Sequence, residues 1–132
     1  MWDRLTQGWL GLHGLTFLTL SVLFFQDPET WGLVVSLAPT QPAGAAELMT
    51  LYGGLECGLG VVLLLGVLRK SFRTSALLVL MICYAGLACG RLWGLTRFDL
   101  WEHPLSLQLF GIELLTALLS VALWASQGLR HE

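Results

Sequence analysis

Two carboxylates, one guanidinium and one imidazole stand in otherwise apolar surroundings: Glu56, Glu113, Arg91 and His13. Lipid or a dry protein interior penalises the charged form of each, so none is expected to face hydrocarbon without a partner. Brought to one pocket, Glu56 and Glu113 can divide general-acid and general-base roles, because two carboxyls sharing a site do not ionise together. Arg91 can stabilise a developing anion or receive an acidic head group. His13 can exchange a proton or contact a ligand. Each also has a structural reading. Arg91 sits where its side chain can snorkel to an interface or bend inward to pair with a carboxylate. His13 reads most simply as a lone imidazole bonded to a neighbouring helix. No His or Cys spacing completes a metal site around the mixed set His13/Glu56/Glu113, so no metal is expected.

The elements that must position these groups follow from composition. Of 132 residues, 55% are hydrophobic and 12% charged, against about a quarter charged in soluble domains. Length supports one domain. Four apolar stretches reach membrane-spanning length, over residues 5–25, 46–68, 74–93 and 104–124;. The first starts after Met1-Trp2-Asp3-Arg4 and is longer than the apolar part of a signal peptide, so it reads as a retained helix;. Gln26-Asp27-Pro28-Glu29 ends it;. Trp31–Leu37 is apolar but too short to cross, and reads as a short interfacial helix or a strand-like loop bounded by Pro39 and Pro42;. Pro104 suits the opening of the fourth span, which leads to the tail Arg130-His131-Glu132. A soluble bundle would need a polar face that Leu59–Leu68 and Ala76–Ile82 lack;. A β-barrel would need alternating segments. The fold class expected is therefore all-α, an up-and-down transmembrane four-helix bundle. Arg69, Lys70 and Arg73 crowd the second connection, which places it and both termini in the cytoplasm by the positive-inside bias;. Net charge is −2 with no basic tract, and nucleic acid is not an expected partner;.

Depth groups the polar residues. At about 1.5 Å per residue, Glu56 and Glu113 each lie roughly 13–15 Å below the outer ends of their helices. Arg91 is about 10 Å shallower, within combined reach of either. Glu113, Thr116 and Ser120 share one face of the last helix;. Tyr52-Gly53-Gly54-Leu55-Glu56-Cys57-Gly58 resembles Tyr84-Ala85-Gly86-Leu87-Ala88-Cys89-Gly90 at an offset of 32 residues. The pairs Gly54/Gly58 and Gly86/Gly90 have the spacing of close helix packing, between spans two and three or against a partner. Cys57, Cys83 and Cys89 read as free buried thiols;. Trp9, Trp31, Trp93, Trp101 and Trp124 read as interfacial anchors or contacts to a flat ligand;.

Through Leu51-Tyr52-Gly53-Gly54-Leu55-Glu56 with Gly58/Gly60, and Ala85-Gly86-Leu87-Ala88-Cys89-Gly90-Arg91, the chain resembles the broad DoxX-like group of small four-helix membrane proteins. Within that group it looks like the bacterial family called domain of unknown function 4345, from the first span through Trp124. The resemblance implies a multi-pass protein of the bacterial inner membrane. It implies no established reaction, although wider DoxX-like groups associate with respiratory or redox partners.

The leading functional expectation is a non-enzymatic membrane component that binds a lipidic ligand or packs into a larger membrane complex or homo-oligomer. Glu56, Arg91, Glu113 and His13 would contact the ligand or partner. No cofactor is expected beyond a bound lipid or quinone. Two alternatives compete. One is an enzyme acting on a lipid, quinone or sterol-like substrate with Glu56 and Glu113 as catalytic groups. It lacks a Ser-His-Asp arrangement, a dinucleotide loop and a phosphate-binding loop. The other is a proton-coupled transporter, which four short helices would house only as an oligomer.

Overall fold

A computed structural model describes residues 2–128, with side chains through residue 126. Met1 and the tail Arg130-His131-Glu132 lie outside the described residues. Six α-helices account for most of the described residues: α1 (Trp2–Gln26), α2 (Pro28–Val34), α3 (Pro42–Leu48), α4 (Glu56–Leu68), α5 (Lys70–Arg97) and α6 (Pro104–Gly128). A π-helical segment, Met49–Leu55, joins α3 to α4 without a break, so Pro42–Leu68 is one continuous second span. The four long helices, α1, Pro42–Leu68, α5 and Pro104–Ser126, are each apolar and long enough to cross a membrane. The fold is an all-helical bundle of four such spans.

Helix ends follow local chemistry. Asp27 accepts a hydrogen bond from the Thr30 N–H at 3.0 Å, and Pro28 opens α2, where its missing N–H leaves nothing unpaired;. That bond, with further support from the Thr30 side chain, holds the Asp27 carboxyl below its ordinary range. The apolar stretch from Trp31 is thus helical through Val34, and the chain turns away beyond α2 at a left-handed Ser36 (φ 63°). His103 similarly receives the Ser106 N–H at the start of α6.

The first and third spans begin earlier than their apolar stretches, at Trp2 and Lys70, because polar side chains there are tied down. Arg73 is buried. It donates from Nε to the Gly66 carbonyl (3.2 Å) and from Nη2 to the Val67 carbonyl (3.3 Å), and it pairs with Asp3 at 2.8 Å. Gln7 also donates to the Val67 carbonyl, at 3.1 Å. These bonds satisfy carbonyls that the end of α4 would leave open. They also fix the start of α1 beside the α4–α5 turn.

In the bundle α1 packs chiefly on α4, α4 on α5, and α5 on α6. The central contacts come from Leu10, Leu63, Leu77 and Leu80, all essentially inaccessible. Among the long helices, backbones approach closely beside the α4–α5 turn and where α1 crosses α4. At Gly66 a Cβ would stand 2.5 Å from the Ala76 Cβ. Gly14 and Gly60 cross with each carbonyl within 3.3 Å of where the other's Cβ would be. Side chains there would drive the helices apart.

The four glycines expected to bring spans two and three together do not do so. Gly54, Gly58, Gly86 and Gly90 have nothing within 4 Å of a Cβ position outside their own helices. The two spans meet at Gly66 and Ala76, beside their short turn, and diverge from there. Close packing belongs to Gly14, Gly60 and Gly66 instead.

Candidate functional site

Divergence of the second and third spans leaves a pocket of about 600 Å³ between them, the size of small-ligand sites;. One wall is Leu51, Tyr52, Leu55, Glu56 and Leu59; the other is Cys83, Gly86, Leu87, Gly90 and Arg91; Phe17 of α1 forms the base. The lining is mainly apolar. Leu51, Leu55, Gly86, Leu87 and Gly90 lie on the outer surface of the bundle, so the pocket opens sideways, where a membrane-embedded bundle meets lipid.

The first wall is built by the π segment. π-helix is rare, and where it interrupts an α-helix it re-aims the side chains around it. The segment contains the pair Gly53-Gly54, and the Phe25 ring lies 3.0 Å from where a Gly53 Cβ would be. Beside it the Tyr52 ring stacks on Phe24, with centroids 4.6 Å apart and planes inclined by 18°. Anchored by these rings, the segment presents Leu51, Tyr52 and Leu55 to the pocket, and Glu56 follows at its end.

Glu56 and Arg91 are the charged groups on the lining, and they differ in how they are satisfied. Arg91 donates to Glu113 through both arms of its fork, Nε to Oε2 at 2.7 Å and Nη2 to Oε1 at 2.6 Å. The Glu113 side chain is 8% exposed and the Arg91 side chain 29%. Paired, planar contacts of this kind are among the stronger polar interactions in proteins. Glu56, by contrast, has a buried Oε2 with no hydrogen-bond partner. Of the readings open for Arg91, the structure shows the ion pair, and its partner is Glu113.

His13 is buried outside the pocket lining. Its Nδ1 lies 3.1 Å from the Tyr84 hydroxyl on α5, and the Trp9 ring meets it edge-on at 4.5 Å. Its Nε2 has no partner. Trp9 is not an interfacial anchor, since its indole N–H donates inward to Ser120 at 3.0 Å. Glu113, Thr116 and Ser120 all face the interior, so the polar stripe of the last span is internal. The three cysteines are free but none is buried as expected: Cys57 and Cys83 are half-buried, Cys89 is exposed, and Cys83 reaches the pocket.

The arrangement can hold an elongated apolar molecule and meet its polar end with one carboxylate and one neutralised guanidinium. Glu113 does not line the pocket, and both of its oxygens are engaged by Arg91. Among the described residues no three His, Cys, Asp or Glu side chains gather to hold a metal, and His13, Glu56 and Glu113 do not converge.

Sequence reasoning missed the π segment, the inward role of Trp9 and the partnership of Tyr84 with His13. The repeat at an offset of 32 residues was a usable signal. Its two copies supply Tyr52, Leu55 and Glu56 to one pocket wall and Gly86, Leu87 and Gly90 to the other, with Leu55 and Leu87 at matching positions.

Residues 5–124 match the family described as domain of unknown function (DUF4345). No curated protein and no solved structure matches the chain.

Proposed function

The chain belongs to the DUF4345 family, and from the geometry of its site we propose that it is a non-enzymatic membrane component binding a lipidic ligand between its second and third spans. The observation that carries this reading is the apolar pocket of about 600 Å³, open on the lipid-facing side of the bundle, with Glu56 and Arg91 on its wall. A lipid tail can lie against Leu51, Leu55, Leu59 and Leu87 while its polar end reaches those two groups. Packing into a larger assembly is part of the same proposal, because an occupied pocket would present a continuous surface to a neighbour. Membrane lipids are its immediate partners, and a homo-oligomer or a larger complex its wider setting.

The proposed setting is the inner membrane of a bacterium, within the DoxX-like group, with both termini in the cytoplasm. Arg69, Lys70 and Arg73 at the second connection support that orientation, and the Asp3–Arg73 pair keeps the start of α1 at the same end;. Catalysis is the weaker reading, because Glu113 is committed to Arg91 and Glu56 has no second titrating carboxyl on the lining.

Purification from native membranes, followed by mass spectrometry of what co-purifies, tests the proposal. One lipidic molecule per chain is expected, displaced in a folded Gly86→Trp variant that fills the pocket. A wild-type protein holding only the bulk lipid mixture, indistinguishable from the filled variant, would reject ligand binding.

A further inference from the structure

The charges around the pocket specify what kind of head group it takes. Arg91 is the only cation on the lining, and Glu113 already matches its charge through two short hydrogen bonds. Glu56 adds either no charge or one negative charge. The three groups therefore sum to zero or −1, and an anionic guest would raise that to −1 or −2 inside an apolar site. Uncompensated charge at such a place is strongly disfavoured.

The hydrogen-bond inventory points the same way. Glu56 is on the lining and its Oε2 has no donor within the chain, so a carboxyl turned toward the pocket is stabilised by a guest that supplies one;. Among the described residues the other unpartnered buried side-chain atom, His13 Nε2, is not on the lining and makes no demand on a guest. The Tyr52 hydroxyl and the Cys83 thiol are the remaining polar groups there, and neither carries a compensating positive charge. Because the pocket opens past Leu55, Gly86 and Leu87, the apolar part of the guest can remain continuous with the surrounding lipid.

Resting on the ligand-binding reading above, we infer that the pocket takes an amphiphile whose polar end donates a hydrogen bond to Glu56 and bears no negative charge. Long-chain alcohols and amines belong to this class; alkyl sulfonates and acidic phospholipids do not. An alcohol suits a protonated Glu56, to which it can both donate and accept. An amine suits an ionised one, with which it forms a neutral pair.

Four guests of one chain length separate the possibilities: tetradecanol, tetradecylamine, tetradecanesulfonate and tetradecane. Each is titrated against the purified full chain in neutral detergent and read by native mass spectrometry. The alcohol or the amine should bind one per chain, at least about tenfold tighter than the sulfonate or the alkane, the scale of one satisfied buried hydrogen bond. In Glu56→Leu the margin over the alkane should vanish, while retained alkane binding reports an intact pocket. Glu56→Gln, which keeps an acceptor without a charge, should retain the alcohol and lose any preference for the amine. Sulfonate binding as tight as that of the alcohol and the amine, or a margin unchanged in Glu56→Leu, overturns the head-group inference and leaves ligand binding standing. Failure of all four to bind the wild-type chain overturns ligand binding itself, and the inference with it.

Discussion

The two ends of the contact between the second and third spans use the same residue types for opposite purposes. Beside the α4–α5 turn, Gly66 meets Ala76 and a buried Arg73 is consumed by two carbonyls and Asp3. Farther along, Gly86 and Gly90 meet nothing, and Arg91 is paired but still lines an open space. A glycine at one end permits contact, whereas at the other it keeps volume empty. An arginine at one end closes a helix terminus, whereas at the other it forms part of the wall of an open pocket. Residue type and spacing are therefore compatible with either role, and the direction in which the helices splay decides which one holds.

The largest effect that would break this contrast is at Gly66. Gly66→Leu should destabilise the bundle by about 3 kcal/mol or more, since the added side chain collides with Ala76 and Leu10;. Gly86→Leu should leave stability unchanged or raise it by about 1 kcal/mol, through helix propensity and partial filling of the pocket;. Thermal unfolding in detergent measures both. Equal losses at the two positions would erase the distinction between a packed and an open end.

Next in size is the ion pair. Glu113→Leu should cost about 2–3 kcal/mol, below the usual cost of breaking a fully buried pair because Arg91 is partly exposed to the pocket;. Adding Arg91→Met should recover most of that loss, because the stranded charge is then gone. Non-recovery in the double variant would mean that Glu113 is held by something other than Arg91.

Glu56→Leu sharpens the contrast in the other direction. With no hydrogen bond at Oε2 to lose, it should be neutral or stabilising by about 1 kcal/mol in protein stripped of lipid;. A loss comparable to that of Glu113→Leu would show that Glu56 has a structural partner within the chain.

The smallest effect lies outside the spans. The Asp27 carboxyl is held below its ordinary range by the Thr30 N–H, so its contribution to the α2 cap is fully present above the usual carboxylate pKa;. It is lost only as pH falls through the lowered folded value. Hydrogen exchange of the Thr30 amide should rise in that acidic window, beyond the intrinsic change, and should already be high at neutral pH in Asp27→Ala. An identical pH response in the two proteins would dismiss the cap.

Much of the fold was legible because it depends on length and polarity alone. Runs without charge such as Leu59–Leu68 specify spans, and Asp27-Pro28 and Pro104 mark where helices begin;. The Arg91 pair was legible as one within side-chain reach across a depth gap of about 10 Å, although depth could not choose between Glu56 and Glu113. The choice depends on how each helix is rotated about its axis, which apolar stretches facing lipid on one side and protein on the other barely encode. The same ambiguity hid the role of the glycines. Gly54/Gly58 and Gly14/Gly60 are equally small, and only the second pair points at another helix.

The π-helical stretch ahead of Glu56 has a consequence for changes in chain length. In a regular membrane-spanning helix, removing one residue rotates everything beyond it by about 100° and turns a buried face outward. Met49–Leu55 is wound with a surplus that α-helix does not have. Deletion of Gly53 or Gly54 can be absorbed there by rewinding to α-helix, while the α4 face bearing Gly60 and Leu63 keeps its seat on α1. A shortened chain of that kind would fold with its core register preserved and its upper pocket wall re-aimed. Deletions five to nine residues beyond Gly54, within Leu59–Leu63, have no such surplus to draw on and would scramble the core.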